Sequence, residues 1–461
     1  MYALVPAAVA PAVIAVAMHC MHMRRVYASR RNVSAVAEPA GMAHAEDPFE
    51  DFERRARERR AQRAPPGRGA SSWMVSTPAG RMLLGSVLAL ALFTLVGLVA
   101  LWPHHHKTQD SGAFGGPSLP AEVVREAVRP CGGPSPQRCR RIEVELRGGP
   151  DKGGTYPITL GPLNTSPHLS AGTNIRVARA PEVARPSAAT AERYSFVDVD
   201  RHVTLIVLAL VFAALAVLLA RWRGLLAVVG VAVSLLLVTK FIVPAILEGS
   251  SPALVSLVGA LAVMFLTLLL TNGVGAQSLA AALGIGASLL LVTLLGEAVV
   301  HLAHLNGYSS DLAIVLNQSG INLSLQGIVL AGMVIGALGV LTDMAVSQAS
   351  AVMALRRANP NQSTRQLYWG AFTVGRDHLS ATIHTLVLAY TGAALPLLLV
   401  LQNSGVGFSD AVNTQDVAEP LVAMLVGAIG LIAAVPLTTD LAATLVTRVP
   451  VAAIPDHAHQ H

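Results

Sequence analysis

The sequence predicts an all-α polytopic membrane protein of about eight transmembrane helices, with a small β-rich extracytoplasmic domain between the first and second spans. Three observations predict it. The 461 residues are 53% hydrophobic and only 13% charged, with a mean hydropathy of +0.55, above what a soluble globular chain carries. Eight apolar runs reach the roughly 20 residues that a bilayer requires. Between the first two of these runs lies a polar stretch in which apolar and polar residues alternate with the period of a strand.

Residues 1–80 form a leader followed by a basic cytoplasmic region. Residues 1–18 are apolar, but Arg24 and Arg25 follow them and no basic residue precedes them. Three readings stay open: a leader upstream of a later start at Met42 or Met74, an additional span, or a signal peptide. Residues 24–80 are rich in Arg, Ala, Pro and Glu and are expected to be disordered, with a short Glu/Arg helix around 46–63 suited to anionic lipid. The first span is 82–102. Residues 103–201 are expected to be the extracytoplasmic β-rich domain with its linkers. Ile142, Val144 and Leu146 alternate with polar residues, as do Tyr156, Ile158 and Leu160, and the turn-rich GGPDKGG between them predicts a hairpin. A further short strand is expected over Ile175 to Val177, and the Pro/Ala-rich stretch 180–192 leads back to the membrane. Cys131 and Cys139 sit close together in this region, and an extracytoplasmic setting makes a disulfide between them plausible against two free thiols.

Residues 202–447 form a seven-helix membrane domain with spans at 202–221, 224–246, 252–271, 278–300, 326–347, 379–401 and 419–446; a cytoplasmic tail, 448–461, follows. Gly332 and Gly336, with Gly339 one turn on, give the sixth span a small-residue face, which permits a homo-oligomer. Pro396 and Pro436 are expected to kink or unwind the seventh and eighth spans. The net charge of +6 does not suggest nucleic acid, because its arginines cluster in short flanks. Arg54, Arg55, Arg57, Arg59, Arg60, Arg63, Arg68 and Arg81 precede the first span, Arg221 and Arg223 lie between the second and third, and Arg356, Arg357, Arg365 and Arg376 lie in a basic loop between the sixth and seventh. Arg448 follows the eighth. With eight spans all of these fall on one side, so the positive-inside rule makes both flanks of the spanning core cytoplasmic.

The stretches GVLTDMAVSQASAV (339–352), GRDHLSATIHTLVLAYTGAALPLLL (375–399) and AVPLTT (434–439) resemble the YibE/F family of bacterial membrane proteins. YSFVDVDRHVTL and KFIVPAILEGSSPALVSLVGA support the resemblance, which covers about residues 120–447. It implies an integral protein of the bacterial cytoplasmic membrane with several spans and an extracytoplasmic β domain; transport attaches to it only loosely. The sequence departs from the family pattern at Thr342, where an acidic residue is usual, and at His384, where Asn is usual. The first departure weakens any mechanism that needs two adjacent carboxylates, and the second adds an ionisable group.

The chemistry-bearing residues fall in two groups. Asp343 and Gln348 on the sixth span, Asp377, His378 and His384 on the seventh and Asp440 on the eighth lie at similar depth toward the arginine side. Asp377 and His384 are two helical turns apart and share a face. Carboxylates and imidazoles suit a divalent cation or a proton relay, and an acid paired with a histidine suits antiport. The structural alternative is that Asp377 caps the seventh helix and Asp343 bonds a neighbouring helix. At the other membrane face Glu297, His301 and His304 follow i, i+4, i+7 spacing and form either a cation-attracting vestibule or a hydrated helix end. His104, His105 and His106, and the closing HAHQH, are solvated surface with weak metal capacity. No phosphate-binding loop, dinucleotide fingerprint, nucleophile elbow or zincin motif occurs, so neither an enzyme nor a cofactor is expected. The expected partners are the bilayer and a small solute or ion. Two functions follow: a secondary transporter or exporter, proton-coupled or moving a divalent cation, or a non-transporting scaffold or sensor that binds envelope partners.

Overall fold

A computed structural model of the chain describes residues 78–104, 118–131, 137–179, 193–307 and 324–448. The leader, the helix expected around 46–63, His105, His106, the 180–192 linker and the tail from 449 lie outside the described residues. The chain runs α1 (Pro78–Ala100), β1 (Leu119–Pro130), β2 (Arg138–Leu146), β3 (Thr155–Pro162), β4 (Asn174–Arg179), β5 (Tyr194–Val199), α2 (His202–Ala220) and α3 (Trp222–Leu237). After α3 come a π-helical turn (Val238–Ile242), α4 (Val243–Leu247), α5 (Pro252–Asn272), α6 (Ala276–Leu302), α7 (Leu325–Ala358), α8 (Thr364–Asn403), α9 (Phe408–Asn413) and α10 (Gln415–Val446). Among the described residues eight helical segments are long and apolar enough to cross a membrane, with α3, the π turn and α4 counting as one.

The polar stretch folds as one antiparallel sheet in the order β3-β2-β1-β4-β5. Alternation explains it: Ile142, Val144 and Leu146 on β2, Ile158 on β3, and Ile175 and Val177 on β4 turn to one side and are buried. Each such side chain contributes about 1.5–3 kcal/mol of hydrophobic stabilisation. The expected hairpin is β2–β3, and its turn places Gly149 and Gly153 at φ 87° and 85°, a region that costs other residues strain. Long β1 pairs with β2 over Ala121–Pro130 and with β4 over Leu119–Glu122, and a bulge between Val123 and Arg125 interrupts the β1–β2 register. The outer strands β3 and β5 approach each other, with the Tyr156 and Tyr194 rings 4.9 Å apart and edge-on. This is the strand order of the partly open five-stranded OB barrel. Cys131, just past β1, is disulfide-bonded to Cys139 on β2, with Cα atoms 4.9 Å apart.

The helical core gathers around α6, α7 and α10, with α5 and the first half of α8 packed against them. Small residues allow the close approach. A Cβ at Gly284 on α6 would collide with the Thr438 hydroxyl on α10, and one at Gly430 on α10 with Val292 on α6. By contrast α2 buries no residue at all, and its leucines and valines point outward, as expected of a surface that meets lipid.

Three expectations about helix limits are corrected. The sixth span continues to Ala358 and the seventh begins at Thr364, so the basic loop shrinks to 359–363. Both extensions are amphipathic: Val352, Met353, Leu367 and Ala371 are buried, Arg365 is exposed and Arg356 and Arg357 are half-buried, and a hydropathy criterion passes over such turns. Ser363 starts α8 through a capping box with Gln366, so Asp377 is fourteen residues into the helix and caps nothing. Neither Pro396 nor Pro436 unwinds its helix; each removes one backbone donor without breaking the helix. The observed irregularity is the π turn around Lys240. Pro244 has no N–H for the Lys240 carbonyl, and the helix widens one turn before it, with the Val243 N–H bonding Val238 O.

Candidate functional site

The depth of the polar residues follows from helix register. Gln277, at the start of α6, donates to Ser350 Oγ on α7 at 2.5 Å. The α5–α6 turn and Ser350 therefore share a level, close to the end of the 21-residue α5. Asp343 lies two turns further in, about 10 Å from that level at 1.5 Å per residue. The α7–α8 hairpin carries Arg356, Arg357 and Arg365 in the opposite direction, about 12 Å beyond the same level.

At the Asp343 level α7 meets α8. His378 Nε2 lies 3.7 Å from Asp343 Oδ2, and both side chains are largely exposed, 45% and 68%. Protonated imidazole makes this a salt bridge; neutral imidazole leaves a carboxylate beside a lone pair or an N–H. One and a half turns along α8, His384 Nδ1 is 2.7 Å from the Ser380 carbonyl of its own helix. A carbonyl only accepts, so Nδ1 carries the proton and Nε2 of the neutral ring presents a lone pair outward. Among the described residues Arg376 and Asp377 have no hydrogen-bond or ion-pair partner, and both are exposed.

Gln348 is separated from this exposed group. It is 1% exposed, and Thr439 Oγ1 on α10 lies 2.9 Å from its Oε1. The same Thr439 hydroxyl lies 2.6 Å from the Val435 carbonyl and has one proton to give. Turning the amide satisfies both contacts, with Gln348 donating to Thr439 and Thr439 to Val435. Gly375 on α8 makes room for the amide, because a Cβ there would strike it. The adjacent Thr438 hydroxyl is fully buried against Gly284 and, among the described residues, has no hydrogen-bond partner. Gln348, Thr438, Thr439 and Ser288, whose hydroxyl donates to Gly284 O at 2.8 Å, form a polar seam through the α6–α7–α10 core. Thr438 and Thr439 were not singled out from sequence. Two adjacent threonines after a proline in an apolar helix were their signal, and what hid them is that Ser and Thr so often bond their own helix.

Asp440 points the other way. It lines a shallow cleft between the start of α8 and α10, with Thr364, Arg365, Tyr368, Pro436 and Leu437. The expectation that Asp343, Asp377, His384 and Asp440 converge within coordination distance is therefore corrected. Adjacent α10 positions face in different directions, and α8 places Asp440 in a cleft of its own. Among the described residues no group of three or more His, Cys, Asp or Glu is placed to hold a metal ion.

The second group is also corrected. Glu297 and His301 sit one turn apart on α6, but the helix ends at Leu302 and His304 has φ 51°. That left-handed step breaks the register that would have aligned the third side chain. His301 Nδ1 lies 3.3 Å from Gln326 Nε2, at the start of α7. The arrangement is that of a helix end, the alternative to an aligned three-residue vestibule.

In the sheet, Glu126 gathers Arg140, His168 Nδ1 at 2.6 Å and the Leu169 amide at 3.0 Å. Partial burial pushes its carboxyl upward, but the bonds from His168, Leu169 and Arg140 outweigh that and hold it below the usual range.

The model of one protein family, described as YibE/F-like protein, matches residues 208–448. No curated protein and no solved structure matches the chain. The match takes in α7, α8 and α10, with every residue of the exposed Asp343–His378 group and of the buried Gln348–Thr439 seam.

Proposed function

The chain belongs to the YibE/F-like family, and from that premise we propose that this multi-pass membrane protein moves a small solute or ion by a secondary, cation- or proton-coupled process. The observation that carries the proposal is the Asp343–His378 pair, a carboxylate and an imidazole held 3.7 Å apart about 10 Å inside the level of the α5–α6 turn. Ionisable groups at such depth are expensive and serve pathways or partners. An imidazole and a carboxylate in contact can exchange a proton for a cation near neutral pH. Asp377 and His384 add exposed polar groups along α8 beside the pair. The arginine-bearing end faces the cytoplasm and the sheet lies outside it. This orientation is supported by the arginine distribution and by a disulfide, which persists in oxidising compartments.

The test is flux in proteoliposomes holding the purified full chain, with a panel of divalent cations outside and a pH dye inside. Wild type is expected to move a cation or protons, and Asp343→Asn and Asp377→Asn to lose flux while keeping the wild-type melting temperature. Destabilisation by Asp343→Asn would mark the pair as structural. Absence of flux from well-folded wild type, together with a partner that co-purifies only while residues 119–192 are present, would favour the scaffold.

A further inference from the structure

On α7, Gly332, Gly336, Gly339 and Asp343 follow 4-3-4 spacing and lie on one face, and all four are exposed. Gly332 and Gly336 form the small-xxx-small pattern that lets two membrane helices approach closely. Within the subunit only Gly336 of the three has a neighbour, Tyr390 Oη of α8, which a Cβ would meet at 2.8 Å. A Cβ at Gly332 or Gly339 would meet nothing within 4 Å. Beside this seam α8 runs forty residues and buries four. Its exposed positions include Asp377, His378, Ala381, Thr385 and Gly392, and Gly392 is likewise open.

A bare glycine seam alone assigns no partner. The second observation is the charge at its end: Asp343 is 68% and His378 45% exposed, at a depth where lipid chains cannot solvate them. The α2 surface shows what lipid contact requires, an unbroken run of apolar side chains. We propose that a second copy of this chain covers the α7–α8 seam about a two-fold axis along the membrane normal. Two Asp343–His378 pairs then face each other across the interface, and each site is incomplete in the single subunit. The charges favour a copy over an unrelated protein. In such an isologous contact a residue meets residues of its own depth, and here the carboxylates Asp343 and Asp377 lie close in depth to the His378 imidazole, so acid and imidazole of one copy meet imidazole and acid of the other. The inference rests on the shape and charge of the surface and holds whatever the protein moves.

The experiment measures the mass of the purified full chain in lipid nanodiscs, for wild type, Gly339→Leu, Gly332→Leu and, as control, Leu205→Ala on α2. Wild type and Leu205→Ala are expected at two copies per disc and both glycine variants at one. The Cβ of a leucine at either exposed glycine meets nothing within the subunit, and leucine favours helix over glycine, so these variants are expected to keep the fold, which an unchanged melting temperature in detergent checks. In a Cys20→Ser background, Gly339→Cys is expected to cross-link to double mass under mild oxidation, and Leu205→Cys is not. One copy per disc for wild type, or a dimer that survives both glycine variants and does not cross-link through Gly339→Cys, overturns the proposal. Loss of flux plays no part in this test, so failure of the transport proposal and failure of the dimer proposal are read separately.

Discussion

Single side chains decide the most here, because polar groups in an apolar bundle have so few alternatives. Thr438 and Thr439 are neighbours with opposite standing: one hydroxyl is buried without a partner and the other is bonded to Gln348. Thr438→Val removes an unsatisfied group at constant shape and should leave stability unchanged or raise it by about 1 kcal/mol, whereas Thr439→Val strands the Gln348 amide and should cost about 1–3 kcal/mol. Melting temperatures of the two variants in detergent decide, and equal effects would contradict the seam. Glu126 makes a pH prediction outside the membrane. Its carboxyl is held below the usual carboxylate range when folded, so its contribution to the sheet is complete above about pH 5 and is lost as pH falls through the folded value. Glu126→Gln should weaken the sheet at pH 7 and flatten its loss of stability between about pH 5 and pH 3, as followed by near-ultraviolet dichroism of the Tyr156–Tyr194 pair. The acid–imidazole chemistry was legible in the residue types. Its partition was not, because spacing along one helix says nothing of how its neighbours are rotated: Asp440 faces a cleft and Gln348 the core, while Asp343 is exposed.

Elements were legible where one force dominates. Long apolar runs gave eight helices, and strict alternation gave the β2–β3 hairpin and β4. β1 and β5 were missed, because a bulge at Val123–Arg125 and the polar positions of YSFVDVD blur the period of two. The end of α7 and the start of α8 were misjudged for a related reason: these turns bury one apolar stripe against the bundle but carry arginines that lower their hydropathy. The Ser363–Gln366 capping box was present in the sequence as S-x-x-Q, and it fixes the start of α8 fourteen residues before Asp377. Ser363→Ala should therefore cost about 1 kcal/mol and fray the turn that carries Arg365, leaving the Asp343–His378 contact in place. Amide exchange over 364–368 should rise while exchange around 376–380 stays at the wild-type rate. Helix crossings make a sharper prediction. Gly284→Val drives a branched side chain into Thr438 and should cost about 1–3 kcal/mol by overpacking. The double variant Gly284→Val/Thr438→Ala should recover part of it, since coupled neighbours are not additive.

At the scale of the whole molecule, orientation is the property on which the proposed function depends, and the proposed orientation rests on two independent features. Alternation of eight spans places Arg81, Arg221, Arg223, Arg356, Arg357, Arg365 and Arg448 at one end, and short basic flanks are retained in the cytoplasm. The other end carries the sheet, whose β1–β2 connection is closed by the Cys131–Cys139 disulfide, a bond that a reducing cytoplasm does not preserve. Two exposed positions far from the polar cluster report on the two ends: Lys152 in the β2–β3 turn and Asn361 in the α7–α8 turn. In a Cys20→Ser background, Lys152→Cys should react with a membrane-impermeant maleimide in intact cells, and Asn361→Cys only after lysis. The reverse pattern would place the Asp343–His378 pair toward the outer face and invert the direction of any coupled proton movement. Labelling of both before lysis would mean that the spans do not alternate as their helices do. The outcome also bears on the seam between subunits. A two-fold axis along the membrane normal demands that both copies share one orientation, so each variant should label as a single population, fully from one side.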